Sequence, residues 1–158
     1  MTNKQIKLLF EKKLENKEII YFKNWLELYV CSKEEMNMFI KFLNELSEKS
    51  IIKYIKKDPT ILGSINNQTE KMCVSAIKFG YSFAIEYINN QTIDLCKLSV
   101  NQNPWSIKYV REQTVDLCLL ALGLHRDVYI EIKIVSNPNY SKTLKNLKKK
   151  KAILEALT

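Results

Sequence analysis

The feature that most constrains the fold of this chain is a six-residue word, Gln-Thr-x-x-x-Cys, which occurs three times. Its copies span residues 68–73, 91–96 and 113–118, so the cysteines are 23 and then 22 residues apart (96 − 73 and 118 − 96). That spacing is the length of one two-helix hairpin, and such repeats bury their apolar faces only against their neighbours. The word therefore predicts an all-α protein, a short α-solenoid of two-helix repeats with a period of 22–23 residues.

The first helix of each repeat is predicted to begin directly after the threonine of the word, at Thr69, Thr92 and Thr114. A threonine hydroxyl in this position accepts a hydrogen bond from a backbone N–H two or three residues later. Small and apolar residues then recur at i, i+3 and i+4, which predicts one buried stripe along each helix. The three stripes are Cys73/Ala76/Ile77, Cys96/Ser99/Val100 and Cys118/Ala121/Leu122.

The second helix of the repeat is predicted over residues 83–88 and 105–110, which align with an offset of 22. Pro104 suits the first position of a helix, because the N–H that proline lacks has no intrahelical partner there. Pro59 marks an earlier copy of the same helix over residues 60–65. The repeat is therefore expected to extend upstream of the first Gln-Thr word.

The third copy departs from this pattern over residues 126–134. Arg126 and Asp127 stand where a proline is expected, and the apolar residues that follow alternate with polar ones. Alternation with a period of two predicts a β-strand near residues 128–134, whereas the repeat register predicts a helix. We favour the helix, because a lone strand has no pairing partner in an all-α chain, and the strand stays the alternative.

Helical segments are predicted on both sides of the repeats. Residues 1–57 are expected to form an N-terminal helical cap, with the first helix of the earlier copy near residues 48–56. Residues 58–134 form the helical-hairpin repeats, and residues 135–158 form a basic C-terminal helix. The three parts are expected to make one compact domain, since 158 residues suffice for one core and not comfortably for two.

The repeat resembles a known family. Residues 103–121, with the sequence NPWSIKYVREQTVDLCLLA, are similar to the units of an uncharacterised repeat family of bacteria and giant viruses. That family is a domain of unknown function whose units follow N-P-x-A-L-x-Y-V-x-x-Q-T-x-E-L-C. The resemblance covers residues 58–124 and implies helical hairpins without an assigned chemistry.

Positive charge is concentrated at the two ends of the chain. The net charge of +8 divides into +3 for residues 1–58, zero for residues 59–138 and +5 for residues 139–158 (12 − 9, 7 − 7 and 6 − 1). Four consecutive lysines at residues 148–151 either form a solvated helix surface or contact the phosphates of a nucleic acid. Both interpretations of this tail remain open.

The sequence offers little support for catalysis or for a metal or cofactor site. His125 is the only histidine, and no two cysteines have the C-x-x-C spacing of a zinc site. Equivalent thiols in successive repeats would lie about 9–10 Å apart, which is too far to share a metal ion. With no nucleophile–base pair discernible, we expect no enzyme, no cofactor and structural cysteines.

The expected location is the cytoplasm, or the host cytoplasm if the chain is encoded by a phage or virus. Residues 1–5 contain no apolar segment that would indicate a signal peptide, and no apolar run is long enough to span a membrane. The four cysteines are therefore expected to stay reduced.

We expect function where the repeat is irregular, and Trp105 is expected to be partly exposed because it lies in the first turn of its helix. The repeated aromatic residues otherwise fit a core better than a base-stacking surface. The candidate partner-binding residues are Trp105, His125, Arg126, Tyr129, Lys133, Tyr140, Lys145, Lys148 and Lys149.

Three functional hypotheses follow from these features. The first is a non-catalytic module that docks on a protein or ribonucleoprotein, with a phage-type inhibitor of a host defence nuclease as its narrower form. The second is direct RNA or DNA binding through the lysine-rich tail and Lys53, Lys56 and Lys57. The third is self-association through an edge strand at residues 128–134. The sequence does not fix the oligomeric state.

Overall fold

In the computed structural model, α-helices alternate with short 3-10 helices. The structure describes residues 4, 5, 7–9, 12, 33–80 and 83–132. The chain divides into two compact units, Met1–Asn90 and Gln91–Thr158. None of the described residues is in a β-strand, which confirms the all-α prediction. None of the helices in this part of the chain has the length and apolar character that crossing a bilayer requires.

The first unit contains α1 (Lys33–Asn44), α2 (Glu48–Ile55), the 3-10 helix η1 (Pro59–Ser64), α3 (Glu70–Phe79) and the 3-10 helix η2 (Ala84–Tyr87). Helix α2 packs against α3, and η1 contacts α2, α3 and η2. Helix α3 contributes Met72 and Ile77, which are 3% and 4% exposed, and large apolar side chains from the other four elements or their ends are completely buried. The completely buried side chains include Leu43, Ile55, Ile61, Leu62, Ile85 and Ile88.

The second unit contains α4 (Ile93–Gln102), the 3-10 helix η3 (Pro104–Tyr109), α5 (Val115–Leu124) and the 3-10 helix η4 (Arg126–Glu131). Helix α4 packs against α5, η3 contacts both helices, and η4 contacts α5 and η3. The buried side chains at the centre of this unit come from all four elements. They include Val100, Ile107, Leu117, Cys118 and Val128.

The predicted helix starts are confirmed. The hydroxyl oxygens of Thr69, Thr92 and Thr114 accept hydrogen bonds from the backbone N–H groups three residues later, at 3.3–3.4 Å. Ser47 makes the same cap on α2, 22 residues before Thr69. The structure therefore has four capped helices of this kind in its described residues, whereas the Gln-Thr-x-x-x-Cys word occurs three times.

The second helix of the repeat differs from the prediction, because it is a 3-10 helix in every described copy. A carbonyl oxygen of this helix can accept two hydrogen bonds. In η1, the Leu62 oxygen accepts from the Ile65 N–H at 3.0 Å and from the Gln68 side chain at 2.8 Å. A 3-10 helix suits a segment of only four to six residues, because it closes its hydrogen bonds over three residues instead of four.

The β-strand considered near residues 128–134 is wrong for the described part of that segment, which forms η4. Val128 is completely buried, and Ile132 packs with Cys118 and Leu122 of α5. The alternation in sequence was outweighed by these contacts with α5, while Ile130 at the intervening position is 76% exposed. Residues 133 and 134 lie outside the described part, as do most of residues 1–32 of the predicted N-terminal cap and the predicted basic C-terminal helix.

A glutamine side chain joins the successive 3-10 helices of the first unit. The Nε2 group of Gln68 donates to the carbonyl oxygens of Leu62 in η1 and Tyr87 in η2, both at 2.8 Å. The Oε1 atom of the same side chain accepts from the Asn89 N–H at 2.8 Å. One side chain therefore satisfies three backbone groups where two turns end.

Equivalent side chains repeat this arrangement in both units. Gln113 donates to the oxygens of Ile107 and Glu131 at 2.8 and 3.2 Å. Gln91 donates to the Tyr109 oxygen at 3.1 Å and accepts from the N–H of residue 111 at 2.8 Å. Asn44 donates to Ser64 and accepts from the N–H of residue 66, so it performs the same function before the first complete word.

Candidate docking surface

The structure brings two of the predicted site residues, Trp105 and His125, into contact within the second unit. Their ring centroids lie 5.4 Å apart, and the ring planes are inclined by 53°. The Trp105 side chain is partly exposed, as predicted, and His125 and Arg126 are exposed. The three residues place an aromatic pair and a guanidinium at the surface.

The local sequence explains why Trp105 is held at the start of η3. The Asn103 side chain accepts a hydrogen bond from the Trp105 N–H at 2.9 Å, and Pro104 occupies the first position of the 3-10 helix. His125 stands one repeat later in the position of Asn103 (125 − 103 = 22) and ends α5 in an extended conformation. At this position the His125 ring packs against the Trp105 ring.

An exposed apolar side chain lies next to His125 in sequence. Leu124 is 49% exposed at the end of α5, directly before His125. We call Trp105, Leu124, His125 and Arg126 the Trp105 surface. An aromatic, an aliphatic and a guanidinium group together can bury apolar area and form directional hydrogen bonds with a partner.

The structure does not describe the side chains of the remaining predicted site residues. The Tyr129 side chain lies outside the described part of the structure. Lys133 and Tyr140 do as well, together with the tail residues Lys145, Lys148 and Lys149. Nucleic-acid binding by the tail therefore stays a prediction from sequence.

Phe83 was expected in the core with the other repeated aromatic residues but is 42% exposed. A second exposed aromatic side chain, Phe79, was not predicted from the sequence. It is 57% exposed at the last position of α3, and the Lys56 Nζ atom lies 4.8 Å from the centre of its ring. The repeat register contains a signal for this exposure, since the equivalent positions one period before and one period after are Lys57 and Gln102. A position that holds an exposed lysine and an exposed glutamine in other copies is a surface position of the repeat.

The three cysteines of the word are buried, as predicted for the stripe along each helix. Cys73, Cys96 and Cys118 are free thiols that are 0–4% exposed. Burial raises the pKa of Cys73 and of Cys96, and it raises the pKa of Cys118 from 9.0 to about 11. A thiol with a raised pKa is protonated at neutral pH and is therefore a poor nucleophile and metal ligand.

We expect these three thiols to resist alkylation while the protein is folded. The test is the rate of iodoacetamide labelling at about pH 8 in a Cys31→Ser variant, so that only the described cysteines are counted. Labelling should be slow in buffer and should reach the rate of an ordinary thiol in urea. Rapid labelling of the folded protein would contradict the raised pKa values.

The raised pKa values of these thiols make the stability of the protein depend on pH. The pKa of Cys118 is higher in the folded state than its ordinary value of 9.0, so the folded state holds this proton more tightly. Its contribution to stability is present below pH 9 and is lost as the pH rises towards about 11. The free energy of unfolding should therefore fall across this alkaline range.

Comparisons with known proteins identify no relative: no family model, no curated protein and no solved structure matches the chain. Among the described residues, no group of three or more His, Cys, Asp or Glu side chains is arranged to hold a metal ion. The case for function therefore rests on the surface geometry.

Proposed function

We propose that this chain is a non-catalytic binding module, a short helical solenoid that docks on a protein or ribonucleoprotein partner. The observation that carries the proposal is the Trp105–His125 ring contact beside the exposed Arg126. Tryptophan and arginine are enriched among the residues that contribute most of the binding energy in protein interfaces. A phage-type inhibitor of a host defence nuclease is the narrower form of this proposal and is motivated by the size and lysine-rich composition of the chain.

The polar side chains that recur in each repeat have structural partners, which supports a binding module rather than an enzyme. The amides of Gln68 and Gln113 are hydrogen-bonded to backbone carbonyls, and the threonine hydroxyls cap helices. The cysteine thiols are buried, with raised pKa values. The groups that recur most regularly in the sequence are thus committed to holding the α-helices and 3-10 helices together.

The solenoid part of the proposal is supported by the repetition of one structural unit. Each of α2, α3, α4 and α5 begins with a hydroxyl cap and is followed by a 3-10 helix. In a solenoid, each repeat contacts its neighbours and the stack offers an extended surface for binding. A docking function requires such a surface and no chemistry.

The test is capture from the native host with the tagged full-length chain and two double variants. Trp105→Ala with Arg126→Ala removes an aromatic and a cationic group from the Trp105 surface. The matched control, Ile93→Ala with Lys97→Ala, removes an exposed apolar and a cationic group from α4. Circular dichroism confirms that each variant is folded.

We expect the wild-type chain and the control to enrich the same partner, and the Trp105/Arg126 variant to bind it at least tenfold more weakly. Loss of hot-spot side chains costs 2 kcal/mol or more, and about 1.4 kcal/mol is a factor of ten in affinity. Ribonuclease treatment of the captured material separates a protein partner from a ribonucleoprotein. Equal binding by both variants would refute docking through this surface.

A further inference from the structure

An exposed aromatic ring lies among lysines in the first unit. Phe79 is 57% exposed, although phenylalanine is normally buried in a protein of this size. The Lys56 ammonium lies 4.8 Å from the centre of the ring, within the range of a cation–π contact. Helices α2 and α3 pack together, so the contact joins the residue that follows α2 to the last residue of α3.

The segment that carries Lys56 is positively charged. Residues 49–57 contain four lysines and no acidic residue, and Lys53, Lys56 and Lys57 are exposed. The next residue, Asp58, is only 3% exposed, and its Oδ1 atom accepts hydrogen bonds from the N–H and hydroxyl of Thr60. The carboxylate that follows these lysines in sequence is therefore turned into the fold and is not exposed at the surface.

The helix dipole accounts for only part of this arrangement. Lysines in the last turn of a helix are stabilised by the negative end of its dipole, which applies to Lys53 in α2 and Lys78 in α3. The dipole does not account for an aromatic ring kept in solvent beside Lys56. An exposed ring in contact with one ammonium group, on a segment that carries further exposed lysines, matches a ligand that has both planar rings and negative charges.

We propose that Phe79 with Lys53, Lys56 and Lys57 forms a binding surface for single-stranded nucleic acid. A base would stack on the Phe79 ring, and the lysines would contact the flanking phosphates. Single-stranded nucleic acids are bound in this way, by aromatic stacking combined with a positively charged path for the backbone. The proposal is independent of docking through Trp105, which belongs to the second unit.

Two other anionic ligands fit the surface less well. An acidic peptide would contact the ammonium groups and gain little from the ring. Duplex DNA keeps its bases stacked on each other, so it could contact the lysines and not Phe79. Only unpaired bases use both parts of the surface, which makes the ring the discriminating residue.

The experiment measures fluorescence anisotropy of labelled oligothymidylate and oligouridylate with the full-length chain over a range of salt concentrations. Phe79→Leu keeps an apolar side chain and removes the stacking face, and we expect about fivefold weaker binding or more. Lys56→Gln removes one cation, and the slope of log K against log salt should become shallower by about 0.7. Lys97→Gln, an exposed lysine of α4, is the control and should change neither quantity.

Three results would overturn the proposal. The first is the absence of binding by the wild-type chain at about 50 mM salt. The second is Phe79→Leu binding as tightly as wild type, which would leave at most the tail as a nucleic-acid contact. The third is an oligoglutamate that binds as tightly as the oligonucleotides and is equally weakened by Phe79→Leu, which would assign the surface to acidic proteins. Different affinities for the two oligonucleotides would support the proposal and distinguish DNA from RNA.

Discussion

Replacing Gln68 with leucine is expected to lower the free energy of unfolding by about 3 kcal/mol, because three hydrogen bonds are lost at a contribution of about 1 kcal/mol each. Leucine has a similar size but leaves the carbonyl oxygens of Leu62 and Tyr87 and the Asn89 N–H without this partner. The measurement is urea unfolding followed by circular dichroism. An unchanged slope with a lower midpoint would place the effect in the stability of the folded state.

Gln68→Glu tests the hydrogen bonds of Gln68 more directly, because it removes the donor and keeps the shape of the side chain. The carboxylate keeps the shape of the amide but presents oxygen to the two carbonyl oxygens that Nε2 contacts, so acceptors face acceptors. We expect a loss at least as large as for leucine, with partial recovery at acidic pH where the carboxyl group can donate one hydrogen bond.

Asn67→Leu is the control for both variants, because Asn67 is the exposed neighbour of Gln68. Exposed substitutions of this kind usually change stability by less than about 0.5 kcal/mol. If Gln68→Leu is no more destabilising than this control, the glutamine does not hold the 3-10 helices together.

The part of the fold that sequence analysis predicted is the part set by local chemistry. Thr69, Thr92 and Thr114 cap their helices because a hydroxyl at the start of a helix has an N–H within reach whatever surrounds it. The burial of Cys73 and Cys118 followed from helical periodicity. Both features depend on residues close in the chain.

The glutamine of the word was given no role from the sequence, because its partners are distant in the chain. Gln68 reaches from Leu62 to Asn89, and neither carbonyl nor N–H groups carry a sequence signature. The 3-10 geometry of the second helix was also missed; its segments are only four to six residues long. A polar residue that recurs at one repeat position beside a known cap is the signal for such a backbone contact.

The candidate surfaces were only partly predictable. The exposure of Trp105 followed from its place in the first turn after Pro104, but its contact with His125 depends on how η3 packs against α5. Phe79 is exposed at the end of α3, and the lysine and glutamine at the equivalent repeat positions are the sequence signal for it. Exposure was therefore readable from the repeat register, whereas the contact between two rings depended on tertiary packing.

The glycine that follows Phe79 provides the second large effect, because Gly80→Ala is expected to destabilise the first unit by about 3 kcal/mol. An added Cβ would collide with the Ala76 carbonyl oxygen and would lie 2.8 Å from the Cγ of Pro59 and 3.0 Å from the Cβ of Ala84. The obstacle at Ala76 is backbone, so it can move only by opening the end of α3. The cause is lack of space and not an unusual conformation, since Gly80 has φ −84° and ψ 161°.

Gly123→Ala is the matched control, since it makes the same substitution where nothing lies within 4 Å of the added Cβ. Gly123 is in α5, where alanine is favoured over glycine by about 0.5–1 kcal/mol, so this variant should be more stable than wild type. For a chain of this size each kcal/mol corresponds to about 2–4 °C in Tm, so the two variants should shift Tm in opposite directions. Equal shifts would mean that α3 does not end against Pro59 and Ala84. Loss of stability only in Gly80→Ala would show that the chain packs too closely at the end of α3 to admit a side chain at this position.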